Sequence, residues 1–383
     1  MSVDMIISIS ILLALTYFIW RLNRTKKVLK TKVSRSQNRR VVKSSQQTNQ
    51  YFQASTLASE EQSPQAASEF ELSADFLNFK LFLSDNLDKN QQQTVIDISQ
   101  SFRKPHPLLL PLTQSAFEPN ELFELIKTDA EMTVKILNAV NSPLFSLRQP
   151  ITNINNAIIF LGITQVKNIA LQFAVQSNME FKDKAQNEAY KKLWAASYLA
   201  SSFCLLLAKE MNEENPAELS THCLLSYLGD LAVLSYKPSI AGFYLDDYTL
   251  FERTKIFQDS IGINTAVIGK HLTQQWQLPK SIEMGIEHSI LPLVDGMANN
   301  PLSAEQLRHT LLCYLSCRLG DLIAFGGLRD MSTINELSFE ALGAVEFYYT
   351  QKHLGEAGLE KINALIADVS FRKKLNKVIE QSF

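Results

Sequence analysis

The chain is poor in cysteine: only four of its 383 residues are cysteines, and no two of them form a CxxC pair. Cys204, Cys223, Cys313 and Cys317 each lie in a hydrophobic stretch with helical spacing. This usage favours reduced thiols in the core of a cytosolic protein over a disulfide framework. Cys313 and Cys317 are one helical turn apart, so a metal-binding pair is an alternative, but packing as small apolar side chains is the simpler interpretation.

The signatures of several enzyme classes are also missing. The sequence contains no GxxxxGK[ST], no GxGxxG after a strand, no GxSxG and no HExxH. No segment alternates apolar and polar residues over the length of a strand, which argues against a β-sheet protein. With 46% hydrophobic residues, 13 glycines and 12 prolines, the composition is typical of a helix-rich globular protein. The length favours one large or two modest domains with tails.

Negative charge dominates most of the chain, although the net charge is only −2. Residues 21–43 contain ten Lys and Arg and no acidic side chain. Residues 44–383 therefore carry 27 positive and 38 negative side chains, a net charge of −11. Because neutralisation of phosphates dominates nucleic-acid binding, we expect no nucleic acid to bind this acidic body.

Residues 5–20 carry no charged side chain and would form a helix of roughly 24 Å. That length is short for a bilayer core of about 30 Å, but Val3 and Leu22 can extend it. A secretory signal peptide would place positive charge before its apolar run, whereas here Asp4 precedes it and the basic block follows. Tyr17 and Trp20 suit the membrane interface. We predict an uncleaved transmembrane anchor at residues 1–22, with its N-terminus outside; a core helix is the alternative.

Residues 23–73 are predicted to be a linker, first basic and then rich in Ser and Gln. The basic part suits attraction to anionic lipid, and the second part lacks the apolar periodicity that a packed helix requires. Phe76, Phe79, Leu83 and Leu87 then form an apolar stripe at helical spacing, which predicts a helix packed on the following domain. A contact with a partner protein is the alternative.

Residues 129–171 are predicted to form three short helices joined by tight turns, and the rest of the domain is expected to pack around them. Asp129 is a capping residue for the first helix, which must end near Pro143. Gly162 ends the second helix, and Thr164 is the predicted cap of the third. Three prolines between residues 105 and 111 limit the preceding segment to a short helix or an extended lead-in. Further helices are predicted over residues 121–127, 192–209, 219–236, 257–278, 282–289, 302–325, 337–349 and 359–379.

The series DAEMTVKILNAVNS, followed by LRQPITNINNAIIFLGITQVKNIAL, resembles the HDOD domain, a bacterial relative of the HD phosphohydrolases. Members of that family show an acidic start, an Asn-Ser corner, a Pro-Ile-Thr turn and a Leu-Gly helix end in this order. The resemblance weakens toward Asp321. It implies an all-α fold with an HDOD-type helical domain at residues 74–300 and a C-terminal helical extension of the same core at residues 301–383. The proline-rich lead-in departs from the longer first helix of the family.

The resemblance also indicates where metal ligands would lie. Catalytic relatives hold divalent metal with several His and Asp side chains and use a bound water against a phosphoester. Here Ala196 stands at the position of a metal-binding His, and Ser226-Tyr227 stands at the His-Asp pair. His288 and Asp321 match two further ligands, but two ligands fall short of a coordination set. We therefore predict no metal, no cofactor and no catalytic residue.

The resemblance implies a non-catalytic regulatory or signal-transduction module that acts through protein partners from the cytoplasmic face of the bacterial inner membrane. Some family members are linked to cyclic dinucleotide pathways, and the sequence leaves such a link open. A peptide helix or a small ligand could occupy the former active-site groove.

The sequence leaves two alternative functions open. The first is a divergent phosphohydrolase that holds a metal with His222, His288, Asp230 and Asp321. The second is a structural membrane-surface protein in which the basic block and the stripe at residues 76–87 act.

Overall fold

Several helices begin at a side chain that accepts hydrogen bonds from the free N–H groups of the first turn. In the computed structural model, Asp129 accepts from the Met132 amide, as predicted, and Asp183 accepts from the Gln186 amide. Asp88 and Ser303 form reciprocal capping boxes with Gln91 and Gln306, respectively. The structure describes residues 72–102, 104–113, 117–141, 147, 149–176, 181, 183–246, 248–295 and 302–380. The predicted anchor and nearly all of the predicted linker lie outside these ranges.

The described residues form helices joined by turns and loops, without a β-strand, in agreement with the predicted all-α class. The first group of helices is α1 (Ala74–Leu77), α2 (Lys89–Ser101), α3 (Leu109–Thr113), α4 (Pro119–Lys127), α5 (Ala130–Val140), α6 (Ile154–Leu161) and α7 (Ile163–Gln176). Helices α3 to α7 pack on one another, and α7 also contacts the long helices that follow.

The second group contains the long central helices. Its members are α8 (Lys184–Glu210), α9 (Pro216–Leu225), α10 (Leu228–Tyr236), α11 (Gly242–Leu245), α12 (Leu250–Ile261), α13 (Thr265–Gln275), α14 (Lys280–Glu287) and α15 (Ala304–Ala324). Helix α8 packs most extensively against α15 and α9, while α10 packs on α13. These contacts place the centre of the molecule where α8, α9 and α15 meet.

The C-terminal helices are short: α16 (Phe339–Leu342), α17 (Tyr348–His353), α18 (Ile362–Ala367) and α19 (Val369–Glu380). One hydrophobic cluster includes residues from Val95 to Ile379, so the C-terminal helices share the core of the preceding ones. The predicted boundary at residues 300 and 301 lies outside the described residues, and the division into these two segments stays a prediction. Within the described ranges no helix is both long and apolar enough for a membrane span.

The apolar stripe between Phe76 and Leu87 does not form the predicted helix. Only α1 is helical there, and the chain continues without helix to a short 3₁₀ turn at Ser84–Asn86. The predicted packing is confirmed, because Phe76 is buried against Phe251 and Tyr349. The aromatic contacts of Phe76 and Phe79 with the main body replace a continuous helical face.

Several predicted helices are interrupted, and one predicted cap is wrong. Helix α7 begins at Ile163 directly after Gly162, so Thr164 lies inside its first turn. Gly162 ends α6 with φ of 85°, a value that favours glycine. The predicted helices over residues 219–236, 257–278, 337–349 and 359–379 each divide into two or more pieces. The division of residues 257–278 occurs at Gly262, whose left-handed φ of 83° ends α12.

Candidate functional site

The predicted site begins where α8 and α15 approach each other most closely. Ala196 on α8 is fully buried, and its carbonyl oxygen faces Gly320 on α15. A Cβ at Gly320 would lie 2.7 Å from that oxygen, so only glycine permits this approach. The methyl group of Ala196 offers no atom to a metal. The position predicted to correspond to a metal-binding His is therefore a packing position in this chain.

Ser226 and Tyr227 form the corner between α9 and α10. The Ser226 hydroxyl donates to the carbonyl oxygen of His222 at 2.7 Å and so satisfies the end of α9. The Tyr227 hydroxyl lies 3.1 Å from the Cys317 carbonyl oxygen and 2.8 Å from Oδ1 of Asp321. Burial, together with the charge of Asp321, raises the pKa of Tyr227 well above its ordinary value. Its hydroxyl therefore stays protonated and acts as a hydrogen-bond donor.

Two buried arginines hold the other oxygen of Asp321. Nη2 of Arg318 lies 3.0 Å from Oδ2, and Nη2 of Arg253 lies 3.3 Å from the same atom. The Arg253 guanidinium also lies 4.8 Å from the ring centre of Phe325, and the Arg318 guanidinium lies 4.9 Å from that of Tyr314. These cation–π contacts compensate part of the cost of burying the two charges. Both carboxylate oxygens of Asp321 are thus occupied by protein groups.

The sign of the local charge opposes a divalent metal at this position. A divalent cation about 4 Å from one guanidinium would be repelled by roughly 8 kcal/mol at an effective dielectric constant of 20. Arg253 and Arg318 both lie beside Oδ2 of Asp321, so a cation at that oxygen would meet two such repulsions. The positive charge beside Asp321 is supplied by these two arginines.

The space beside these side chains is small. The cavity lined by Ser226, Tyr227 and Asp321 has a volume of about 20 Å³, which accommodates about one water molecule. The arginine and tyrosine side chains fill most of the space at this point. A larger cavity of about 150 Å³ lies beyond Arg253 and Arg318. Asp321 and Glu346 also line it, together with the apolar side chains of Leu322, Phe325, Ala344 and Phe347.

The four ligands of the rival phosphohydrolase do not converge. Asp230 and Asp321 line the small cavity, whereas His222 and His288 line a different one. The Asp230 carboxylate accepts a hydrogen bond from the Tyr244 hydroxyl at 2.8 Å, and burial raises its pKa. Among the residues that the structure describes, the sole set of three His, Cys, Asp or Glu ligand atoms within 4.8 Å of one another belongs to three cysteines.

His222 and His288 border a separate cavity of about 320 Å³, the histidine cavity. His222 lies on α9 with Nε2 3.7 Å from a Glu218 carboxylate oxygen. Burial lowers the pKa of His222 to about 4 and also lowers the pKa of His288. Gly285 permits α14 to pack on the ring, because a Cβ there would lie 2.7 Å from Nδ1 of His222. These neutral imidazoles are set apart from Asp321 and its arginines.

Arg253 and Arg318 are the site residues that sequence reasoning missed. Arg318 lies inside the apolar run of α15, where an unpaired charge would be costly, so its position in the run was an available signal. The sequence gives no comparable signal for Arg253, because its partner Asp321 lies 68 residues away along the chain. The structure brings Ser226, Tyr227 and Asp321 together at one small cavity, and Ala196 packs beside the residue that precedes Asp321.

Comparison with known proteins shows which family the middle part of the chain matches. Residues 107–292 match the HDOD domain family. A structure from Marinobacter aquaeolei VT8, described as a candidate signal transduction protein, aligns with a TM-score of 0.52 and 17% identity over 78% of this chain and 67% of that one. A Shewanella amazonensis SB2B structure, described as a candidate phosphohydrolase, aligns with a TM-score of 0.50 and 15% identity over 76% of this chain and 98% of that one. At these identities the likeness shows the fold alone.

One curated protein is also similar to part of this chain. An uncharacterized protein of Treponema pallidum (strain Nichols) is 25% identical over 175 residues, which are 43% of this chain and 32% of that protein. The chain therefore spans about a third of the length of this relative.

Proposed function

Because this chain is an HDOD domain family protein, we propose that it is a non-catalytic signal-transduction module that acts through protein contacts. The observation that carries the proposal is the occupation of Asp321 by Tyr227, Arg253 and Arg318. A metal-dependent phosphohydrolase needs this carboxylate free for an ion and needs room for a phosphoester. The carboxylate is not free, because both of its oxygens contact protein groups, and the cavity that it shares with Tyr227 has a volume of only about 20 Å³.

The partner surface in this proposal is the apolar cavity of about 150 Å³ beyond the two arginines. Its volume suits one large apolar side chain rather than a drug-sized ligand, whose pockets are typically about 300–1,000 Å³. Such an anchor, with arginine at its edge, is the kind of contact that dominates protein interfaces. We assign to the partner a helix or loop that inserts one apolar side chain here. The Marinobacter structure is described as a candidate signal transduction protein, which is consistent with this role.

The catalytic alternative is tested by a hydrolysis assay. The chain is incubated with Mn²⁺ or Fe²⁺ and with phosphomonoester, phosphodiester and cyclic dinucleotide substrates. We expect no turnover above background and no difference between the wild-type chain and Asp321→Asn. Metal-dependent hydrolysis that is lost in Asp321→Asn would contradict the proposal.

The partner surface is tested with a matched pair of substitutions. Ala344 lines the apolar cavity, whereas Ala367 is exposed at the end of α18 and outside it. A photo-crosslinking residue at position 344 should capture a discrete partner from cell membranes, and the same residue at 367 should not. Ala344→Phe fills the cavity and should abolish partner co-purification, while Ala367→Phe should preserve it. Equal capture at both positions would contradict the assignment of this surface.

Membrane attachment is the second part of the proposal. It rests on the uncharged residues 5–20 and on the ten basic residues between positions 21 and 43. The anchor would raise the local concentration of the module near membrane-bound partners. The full chain should resist alkaline extraction from bacterial inner membranes, and a chain lacking residues 1–22 should be released. Release of both would remove the anchor from the proposal without affecting the site.

A further inference from the structure

Three cysteine side chains converge at the centre of the molecule, away from Asp321 and its arginines. Cys204 lies on α8, Cys223 on α9 and Cys313 on α15, and all three are buried and free. Their Sγ atoms all lie within 4.8 Å of one another. We call this set the thiol triad. The three helices that supply it are the most extensively packed elements of the fold, so the triad is held by the rigid centre of the protein.

The donor atoms of the triad are sulfur only, which selects a particular class of ion. Thiolates favour soft cations such as Zn²⁺ and Cu⁺ and bind Mg²⁺ or Ca²⁺ poorly. A metal about 2.3 Å from each of three sulfurs would separate the sulfurs by roughly 3.8–4.0 Å. The three sulfurs now lie within 4.8 Å of one another, so metal binding would shorten the longest sulfur–sulfur distance by less than about 1 Å. Rotations of the cysteine side chains can supply such a shift without moving the helices.

A metal binds the deprotonated form of each cysteine, so binding to the triad would release thiol protons. The Cys223 sulfur lies 3.7 Å from the Cys313 carbonyl oxygen, and the Cys313 sulfur lies 3.7 Å from the Leu219 carbonyl oxygen. These weak sulfur hydrogen bonds are the contacts that metal binding would replace.

The histidine cavity provides a route from solvent to the triad. Cys313 lines this cavity of about 320 Å³ together with His222 and His309. Glu218 and Glu305 also line it, so an incoming cation meets acidic side chains before it reaches sulfur. The cavity is thus both large enough and of the right charge to admit a metal ion.

We propose that Cys204, Cys223 and Cys313 bind one thiophilic cation of the Zn²⁺ or Cu⁺ class and thereby link α8, α9 and α15. The triad contains none of the residues around Asp321, so this metal would have a structural or sensing role rather than a hydrolytic one. Its consequence is a stability that depends on metal and on the redox state of the thiols.

The proposal is tested with the full, reduced chain. Zn²⁺ and Cu⁺ are added separately under anaerobic conditions in the presence of a competing chelator, and bound metal is measured by elemental analysis. We expect about one equivalent of one of these ions per chain and a rise in melting temperature of roughly 5 °C at a free-metal concentration 100-fold above Kd. The variant Cys204→Ala/Cys223→Ala/Cys313→Ala should lose both effects. Ser316→Ala removes a buried hydroxyl next to the triad but no sulfur, and it should retain them.

A measurement on the wild-type chain keeps the test decisive if the triple variant fails to fold. X-ray absorption at the metal edge should show three sulfur neighbours at about 2.3 Å. Absence of bound metal, a shell of nitrogen and oxygen only, or retention of the metal by a folded triple variant would overturn the proposal. Loss of two titratable thiols without metal would also overturn it, because the cysteines would then form a disulfide instead.

The test is separate from that of the proposed function. A thiol-bound metal without phosphoester hydrolysis leaves both proposals standing, whereas hydrolysis that depends on Asp321 contradicts only the proposed function.

Discussion

The hydroxyl of Tyr227 lies 2.8 Å from Oδ1 of Asp321, although 94 residues separate the two along the chain. This contact places a neutral donor beside the carboxylate that the sequence suggested as a candidate metal ligand. Arg253 and Arg318 bind the other oxygen of the same group. Side chains of the protein itself therefore contact both oxygens of this candidate ligand.

Removal of the Tyr227 hydroxyl should destabilise the fold. Tyr227→Phe leaves the Asp321 oxygen and the Cys317 carbonyl without this donor, and we expect a loss of about 1–3 kcal/mol in the free energy of unfolding. Urea denaturation measures the change. Tyr236→Phe is the control, because Tyr236 is exposed and its change should stay within about 0.5 kcal/mol. Equal effects of the two substitutions would show that the Tyr227 contact contributes little.

Neutralisation of Asp321 should be more damaging than loss of a surface carboxylate. Asp321→Asn leaves two buried guanidinium groups without their counter-charge, and breaking a buried pair in this way costs about 3–5 kcal/mol. Asp259→Asn removes an exposed partner of Lys255 and should cost less than about 1 kcal/mol. Chemical denaturation of both variants gives the comparison, and a small effect of Asp321→Asn would mean that the arginines find other partners.

Acidification should destabilise the protein through His222. Burial lowers the pKa of His222 to about 4, below its ordinary value near 6.5, so the unfolded chain binds a proton more readily than the folded one. The free energy of unfolding should therefore fall as pH drops from 6.5 toward 4, with about 2 kcal/mol from this group between pH 7 and pH 5.

The His222→Gln variant isolates this contribution. Burial also lowers the pKa values of His271 and His288, which act in the same direction, so the comparison must be made against the wild-type chain at each pH. Urea unfolding at pH 7 and pH 5 should show a smaller pH difference in the variant. An unchanged difference would assign the acid sensitivity to other groups.

The crossing of α10 and α13 should depend on Gly229. A Cβ at this position would lie 1.8 Å from the backbone oxygen of Thr265, and neither helix can yield without repacking. Gly229→Ala should cost about 3 kcal/mol or more, at the upper end of overpacking effects. Gly242→Ala is the matched control, because its Cβ would meet only the Asp246 carboxylate at 3.8 Å. The control should be neutral or slightly stabilising in thermal unfolding.

Local signals predicted much of the helical framework. Asp129 is followed by apolar residues at helical spacing, and it caps α5 as expected because a carboxylate at this position satisfies free N–H groups. Gly162 ends α6 for a similarly local reason. Interruptions were harder to predict: the apolar pattern of residues 219–236 continues through the corner at Ser226-Tyr227, so hydrophobicity alone did not reveal it.

The sequence by itself determined the all-α class, the likeness to the HDOD domain and the absence of ligating side chains at Ala196 and Ser226-Tyr227, because these depend on residue type and short-range spacing. Only the tertiary structure decided which groups surround Asp321. Arg253 and Arg318 reach Asp321 from different helices, and the thiol triad draws one sulfur from each of three. Such convergence follows from how helices cross, and helix crossing depends on the packing of the whole core rather than on any local pattern.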